Sequence, residues 1–223
     1  CTTGTQNTAV GVGALDALTT SSSNTAVGYL AMSEATTGHT SVAVGHQALF
    51  SVTTGANNVA VGGNALYTNT ADNNVAIGRD SLKLNTTGAS NTAVGAYALD
   101  ANTTASNNTG VGYAALGANT TGDENVAVGH EALKSNTTGQ ENSALGQSAL
   151  VTNTTGSYNV AVGQDALFTN NADNNTAIGV NALYYNSTGE KNVAVGAIAL
   201  DANTTGDNNT ALGYGAMEAN TTG

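Results

Sequence analysis

Few residues in this chain belong to types that support catalysis, and they are widely spread. The chain has three histidines, His39, His46 and His130, and a single cysteine, Cys1. Nucleophilic catalysis needs a nucleophile, a base and an orienting group at one place. Cys1 lies far along the chain from every histidine, so no Cys–His pair is expected. We therefore predict that the histidines are solvated polar residues and that the protein is not an enzyme.

The acidic residues do not form a metal-binding pattern either. Calcium loops place acidic residues at alternating positions, or repeat Gly-Gly-x-Gly-x-Asp, and neither pattern occurs here. Asp72 and Asp173 are expected to cap their own backbone amides within turns. The segment Gly11-Val12-Gly13 is not completed by a Gly-Lys-Ser sequence, so it is not a phosphate loop. We expect no metal and no cofactor.

Charge and hydropathy exclude two further classes of partner. The chain has 223 residues, with 4 basic and 15 acidic side chains, and a net charge of −11. Four basic side chains are too few to form a phosphate-binding surface. Nucleic acid is therefore not an expected partner. No run of eighteen apolar residues occurs, so we expect no membrane insertion as a helix.

The strongest signal in the sequence is an internal repeat. Thirteen copies of N-T-A-V-G-x-x-A-L-x-x-N-T-T-G-x-x fill the chain, so residues 1–223 are expected to be a single repeat domain. The spacing is 17 residues, except for two copies of 16 that end at Gly78 and Gly179. The missing residue falls in a turn, where a deletion is easiest to accommodate. Both chain ends lie within the repeat, so we expect an excerpt of a longer fibre.

A repeat of this length matches one coil of a β-solenoid, because two packed helices need about 33 residues or more. The Asn-Thr-Ala-Val stretch is expected to form a short strand that ends at a corner glycine. Equivalent asparagines, such as Asn24, Asn58 and Asn74, should stack as a ladder. The Ala-Leu segment is expected to form a helical or 3₁₀ turn followed by a loop or second strand. A pure two-strand coil is the alternative. The predicted fold class is all-β, a parallel β-solenoid of about thirteen coils.

Alternation along the strand predicts which side chains are buried. We expect the Val column, with Val44 and Val128, to meet the Leu column, with Leu49 and Leu133, inside the coil. The opposite face is then an uncharged row of small residues, whereas a solvated face usually carries Thr, Lys or Glu. Small cores also tend to need oligomerisation. We therefore predict a trimer interface at Ala9, Ala26, Ala43, Ala60, Ala76, Ala93, Ala127, Ala144, Ala161, Ala177, Ala194 and Ala211. The alternative is a monomeric solenoid whose alanine row is half-buried.

The repeat resembles the head repeats of trimeric autotransporter adhesins, which follow the approximate pattern N-S-V-A-I-G-x-x-S-x-A-x-G. The closest local match is Asn142-Ser143-Ala144-Leu145-Gly146. The 17-residue form is also similar to repeats of phage and bacterial tail-fibre-type proteins. The resemblance covers essentially the whole chain and implies a left-handed parallel β-roll with three chains side by side. The second glycine departs from the adhesin pattern, because Gly38 follows Gly28 by ten residues instead of about seven.

These features together predict a structural and adhesive role. We expect a homotrimeric segment of an extracellular fibre, on a phage tail or a cell surface, that mediates attachment. The partner would be a glycan or a protein of the host surface, because tyrosines on a rigid scaffold can stack on either. The alternative function is ice or surface binding, which needs threonines at alternate positions on one face. The candidate recognition residues are Tyr29, Tyr113, Tyr214, Phe50, Tyr67, Phe168 and Tyr184, although the same aromatics could instead only cover the edge of the roll.

Overall fold

A computed structural model describes residues 3–223, so Cys1 lies outside the described residues. The chain divides into two compact units, Cys1–Asn108 and Thr109–Gly223, here called unit one and unit two. Every strand has three residues, and each 17-residue copy contributes one. Unit one contains β1 (Thr8–Val10), β2 (Thr25–Val27), β3 (Val42–Val44), β4 (Val59–Val61), β5 (Val75–Ile77) and β6 (Thr92–Val94). Unit two contains β7 (Thr109–Val111), β8 (Val126–Val128), β9 (Ser143–Leu145), β10 (Val160–Val162), β11 (Thr176–Ile178), β12 (Val193–Val195) and β13 (Thr210–Leu212).

Within each unit, every strand pairs in parallel with the strands of the neighbouring coils. Ala26 of β2 lies opposite Ala43 of β3, and Ala127 of β8 lies opposite Ala144 of β9. The shortened copies keep this register, since Ala60 lies opposite Ala76 and the missing residue falls outside the strands. The predicted parallel β-solenoid with a 17-residue period is therefore confirmed.

The corner glycine ends each strand because no side chain fits there. Gly62 has a φ of +137°, and a Cβ atom built on it would lie 2.5 Å from the carbonyl oxygen of Gly78 in the next coil. This backbone region is essentially restricted to glycine. The close approach keeps neighbouring coils at strand spacing, so the glycine follows from the stacking of backbone on backbone.

The segment after the corner is a series of turns, so the predicted helical or 3₁₀ turn is wrong for the described residues. Gln47 and Leu49 have φ values of 53° and 50°, in the left-handed region. This lets the Leu49 amide donate to Ala65 of the next coil, while the Gln47 amide donates to Tyr29 of the preceding coil. A left-handed leucine costs about 1–2 kcal/mol. Hydrogen bonds to both neighbouring coils, together with burial of the leucine, offset that cost.

The strand faces are the reverse of those predicted from the sequence. The leucine column is buried as expected, but the central alanine of the strand points into the coil beside it. Val44 is 36% exposed and Ile77 is 41% exposed, because the first and third strand residues point outward. The interior of each coil therefore holds the leucine and the alanine methyl group, with the larger strand side chains outside.

The predicted alanine interface is therefore wrong. The chain itself buries these side chains, which leaves no surface for a partner to cover. Ala9, in the first strand, is exposed. The residues corrected in this way are Ala26, Ala43, Ala60, Ala76, Ala93, Ala127, Ala144, Ala161, Ala177, Ala194 and Ala211.

Two asparagine ladders connect the coils internally. The predicted ladder at the start of the strand is confirmed: Asn74 Oδ1 accepts from the Asn91 amide at 2.9 Å, and Asn74 Nδ2 donates to the Gly88 carbonyl. A second ladder was not predicted, because its asparagines resemble ordinary turn residues. In that ladder Asn186 Nδ2 donates to Asn170 Oδ1 at 2.8 Å, and the side chain is fully buried. Buried amides must be paired, and stacking in register pairs them.

Candidate recognition surfaces

The outward-facing strand residues form an apolar surface in each unit. We call the first and third residues of each strand the outward columns. They contain Val, Ile, Leu, Thr and Ser and no charged residue. Their side chains are half-buried or exposed along both units. An apolar face without any charge is unusual for a chain with 15 acidic residues.

The histidines take part in structural contacts instead of a catalytic cluster. His39 Nδ1 accepts a hydrogen bond from the Ser22 amide at 3.1 Å. The His46 ring stacks on Tyr29 with centroids 5.4 Å apart, and His130 stacks on Tyr113 at 5.3 Å. These contacts arise because equivalent positions of successive coils lie directly above one another.

The predicted recognition aromatics mostly pair with a neighbouring coil. Phe50 stacks on Tyr67 at 5.0 Å, and Phe168 stacks on Tyr184 at 4.8 Å with nearly parallel rings. Tyr214 is 83% exposed. The stacked rings of a pair cover each other on one face, so recognition depends on what surrounds the other face.

The Phe168–Tyr184 pair borders a surface groove. The groove has a volume of about 320 Å³ and is lined by Asp165, Asn181, Tyr184, Tyr185 and Asp201; we call it the tyrosine groove. The Tyr185 ring meets the Tyr184 ring edge-on, with centroids 4.7 Å apart and planes at 71°. The sequence identified Tyr184 but missed the other four residues, which occupy variable columns and become neighbours only when the coils stack.

The tyrosine groove is partly desolvated. Burial raises the pKa of the Asp201 carboxyl, and the nearby charge of Glu218 raises it further. Burial also raises the pKa of the Tyr184 hydroxyl, and the Tyr185, Asp165 and Asp201 side chains add to that shift. Neither the Asn181 amide nor the Asp201 carboxylate makes a side-chain hydrogen bond or an ion pair within residues 3–223. The groove therefore presents polar groups that the described chain does not satisfy.

The corresponding place in unit one is filled by the chain itself. The Asp80 carboxylate accepts from Asn64 Nδ2 at 2.9 Å and pairs with Lys83 Nζ at 3.2 Å and Arg79 Nε at 3.0 Å. Burial acts to raise the pKa of Asp80, but the bonds from Asn64, Lys83 and Arg79 outweigh it and lower the pKa. Arg79 also lies over the Tyr97 ring at 5.5 Å. The Asp80 carboxylate is therefore satisfied within the chain.

The turn aspartates act differently from the prediction. Asp72 Oδ1 accepts from the Ala56 amide at 2.8 Å, and Asp173 Oδ1 accepts from the Ser157 amide at the same distance. Each aspartate therefore caps a backbone amide of the preceding coil and not its own turn. Their role is to join coils in the two shortened copies.

Several classes of site find no support in the described residues. No group of three or more His, Cys, Asp or Glu side chains within residues 3–223 is placed to hold a metal ion. The same residues contain no helix with the length and hydropathy to cross a membrane.

Comparison with known proteins returns no match, whether to family models, to curated proteins or to solved structures.

Proposed function

We propose that this chain is a structural and adhesive segment of an extracellular, homotrimeric fibre, on a phage tail or a cell surface, that mediates attachment. The observation that carries the proposal is the charge-free face formed by the outward columns of each unit. The resemblance of the repeat to adhesin heads and tail-fibre-type proteins supports the same role.

The dimensions and charge of the outward columns favour other copies of this chain as the partner. Strand spacing of about 4.8 Å and a rise of about 3.3 Å per residue give roughly 250 Å² of flat face per unit. The largest contiguous apolar patch on a typical monomer is about 300–600 Å² and is often functional, and the outward columns approach that size. Because each copy carries a net charge of −11, copies can approach one another closely only through faces without carboxylates. The outward columns satisfy that condition.

The oligomeric state in solution tests the proposal. We expect light scattering to give three chains per particle for the unaltered protein. Val126 is 42% exposed in an outward column, so Val126→Lys should place a charge in the interface and yield monomers. Gln140→Lys adds the same charge at an exposed loop position and should leave the trimer intact. Unchanged circular dichroism would confirm that both variants fold.

Two results would contradict the proposal. One is a monomeric unaltered protein at micromolar concentration, and the other is a trimer that tolerates Val126→Lys as well as Gln140→Lys. The first result removes the trimer, whereas the second moves its interface away from the outward columns.

A second candidate function, ice or surface binding, is favoured by one observation. The first outward column carries threonine in several strands, including Thr25, Thr92, Thr109 and Thr176. The third strand position is occupied by Val, Ile or Leu, so threonines do not alternate along any strand. Loop hydroxyls such as that of Thr137 donate to the next coil and are already used. A thermal-hysteresis measurement at millimolar protein concentration tests this function, and no freezing-point gap would exclude it.

A further inference from the structure

The tyrosine groove combines aromatic faces with polar groups. Of these, the Asn181 side chain and the Asp201 carboxylate are unpaired within the described chain, whereas Asp165 Oδ2 accepts from Gln164 Nε2 at 3.0 Å. Tyr184 is fixed by its stack on Phe168, and Tyr185, 53% exposed, stands nearly perpendicular to it. Two rings at this angle form the floor and one wall of the groove. A ligand with a flat apolar face and polar edges would contact the rings and the side chains together.

The polar groups in the groove include both donors and acceptors. Asn181 offers two N–H donors and one acceptor, and each tyrosine hydroxyl can donate or accept. Asp165 and Asp201 provide acceptors only. An ammonium or guanidinium group would use the acceptors and leave the amide and hydroxyl donors without partners. Sugar hydroxyls both donate and accept, so they match the whole set.

Unit one provides an internal comparison. Six coils earlier, Lys83 stands where Tyr184 stands, Asp80 where Asn181 stands, and Asp100 where Asp201 stands. In that place Lys83 and Arg79 pair with the Asp80 carboxylate, so this carboxylate is already satisfied within the chain. In unit two Val180, Asn181 and Tyr184 stand in place of Arg79, Asp80 and Lys83, so these ion pairs are absent there.

We infer that the tyrosine groove binds a neutral glycan, with one sugar ring packed on Tyr185 and its hydroxyl groups hydrogen-bonded to Asn181 and Asp201. This inference depends on the proposed attachment function and names the class of surface ligand. The volume of about 320 Å³ accommodates one to two sugar rings. Sialic and uronic acids are disfavoured, because Asp165 and Asp201 would repel their carboxylates.

A glycan array followed by saturation-transfer NMR tests the inference on the full chain. The probes are neutral oligosaccharides of glucose, galactose, mannose and N-acetylglucosamine, sialylated and uronate-containing oligosaccharides, and a lysine-rich peptide. We expect binding to a subset of the neutral probes only. Affinity for one groove should be in the millimolar range, and repetition of the groove in an oligomer should raise the apparent affinity on the array.

Matched variants locate the binding. Tyr185→Ala should weaken binding of the neutral probe at least tenfold, because it removes the exposed ring without touching the buried columns. Tyr113→Ala and Tyr214→Ala remove exposed tyrosines outside the groove and should leave binding unchanged. Asp201→Asn keeps a hydrogen-bond acceptor at the same place, so it should weaken binding of the neutral probe only a fewfold. If the groove bound a cation instead, the loss of the Asp201 charge should abolish binding.

The inference is overturned if no neutral probe binds, if binding survives Tyr185→Ala, or if the sialylated probes or the lysine-rich peptide bind in preference. These outcomes are separate from those of the proposed function. A trimer that binds no neutral glycan would leave the fibre proposal standing, and a monomer that binds glycan through Tyr185 would overturn only the trimer.

Discussion

Substitution by alanine at two adjacent glycines of the fourth coil, Gly62 and Gly63, should change the free energy of unfolding in opposite directions. An alanine at Gly62 would have to adopt a φ of +137° and would place its Cβ atom 2.5 Å from the Gly78 carbonyl oxygen. An alanine at Gly63 would have nothing within 4 Å of its Cβ atom. Both changes add one methyl group to the same corner, so only the backbone geometry distinguishes them.

The loss of unfolding free energy expected for Gly62→Ala has two parts. The disallowed backbone conformation costs about 1–3 kcal/mol. Relieving the clash forces these two coils apart and weakens the bond from the Gly78 amide to the Val61 carbonyl, now 2.8 Å, which adds about 1 kcal/mol. We therefore expect a loss of about 2–4 kcal/mol. Gly63→Ala should instead gain about 0.4–1 kcal/mol by restricting the unfolded chain.

Urea unfolding followed by far-ultraviolet circular dichroism measures both changes. Since long repeat proteins can depart from two-state unfolding, the midpoints should be compared along with the slopes. A free energy of unfolding for Gly62→Ala within about 0.5 kcal/mol of the unaltered protein would contradict this prediction, because harmless surface substitutions cause changes of that size. The prediction also fails if Gly63→Ala is equally destabilising.

Three further predictions concern the buried polar groups. Asn186→Leu removes three ladder bonds, to Asn170, Gly189 and Asn203, and should cost about 3 kcal/mol in urea unfolding. The control is Leu18→Met, a volume-conserving change at a buried position of the same column, which should cost under about 1.5 kcal/mol; equal costs would contradict a role for the ladder. The pKa of the Asp100 carboxyl is raised mainly by burial, so its charged form destabilises the fold. Asp100→Asn should therefore raise the thermal unfolding midpoint at pH 7. This gain should vanish below about pH 4, where the Asp100 carboxyl of the native protein is protonated. The pKa of Asp80 is lowered, so its carboxylate stabilises the fold above the ordinary aspartate pKa, and this stabilisation is lost as the pH falls through the native pKa. Asp80→Asn should cost about 1 kcal/mol of unfolding free energy at pH 7 and nothing near pH 2. A cost that stays constant between these pH values would contradict the ion-pair account.

The sequence predicted the fold well because the repeat records the stacking directly. A constant glycine every 17 residues marks the corner, and the constant Asn before the strand marks the first ladder. The register was also predictable, since the deletions near Asp72 and Asp173 occur outside the strands. These features depend on contacts between equivalent residues, which a self-alignment makes visible.

The strand faces could not be predicted in the same way. A three-residue strand such as Val42-Ala43-Val44 has a single inward residue, so alternation alone permits either orientation. The sequence argument placed the larger side chain inside. The structure instead buries the alanine and leaves the larger side chains outside, and the period alone does not reveal this choice. The left-handed backbone at Leu49 was also hidden, because leucine favours right-handed helix.

The candidate recognition surfaces were only partly predictable. Tyr184 stood out as an aromatic residue beside a constant leucine. Asn181, Tyr185 and Asp201 occupy variable columns of different copies, so no local pattern connects them. Their convergence depends on which coil lies above which, and that information requires the structure.

The nearest-neighbour bonding of the coils has a consequence for how such a chain can change its length. Each inward column makes the same contacts in successive copies, and the two shortened copies show that the strands tolerate a lost loop residue. Loss or duplication of one complete copy would therefore rejoin matching surfaces without new packing. Recombination between near-identical repeats could lengthen or shorten the protein in steps of one coil while the tyrosine groove stays intact.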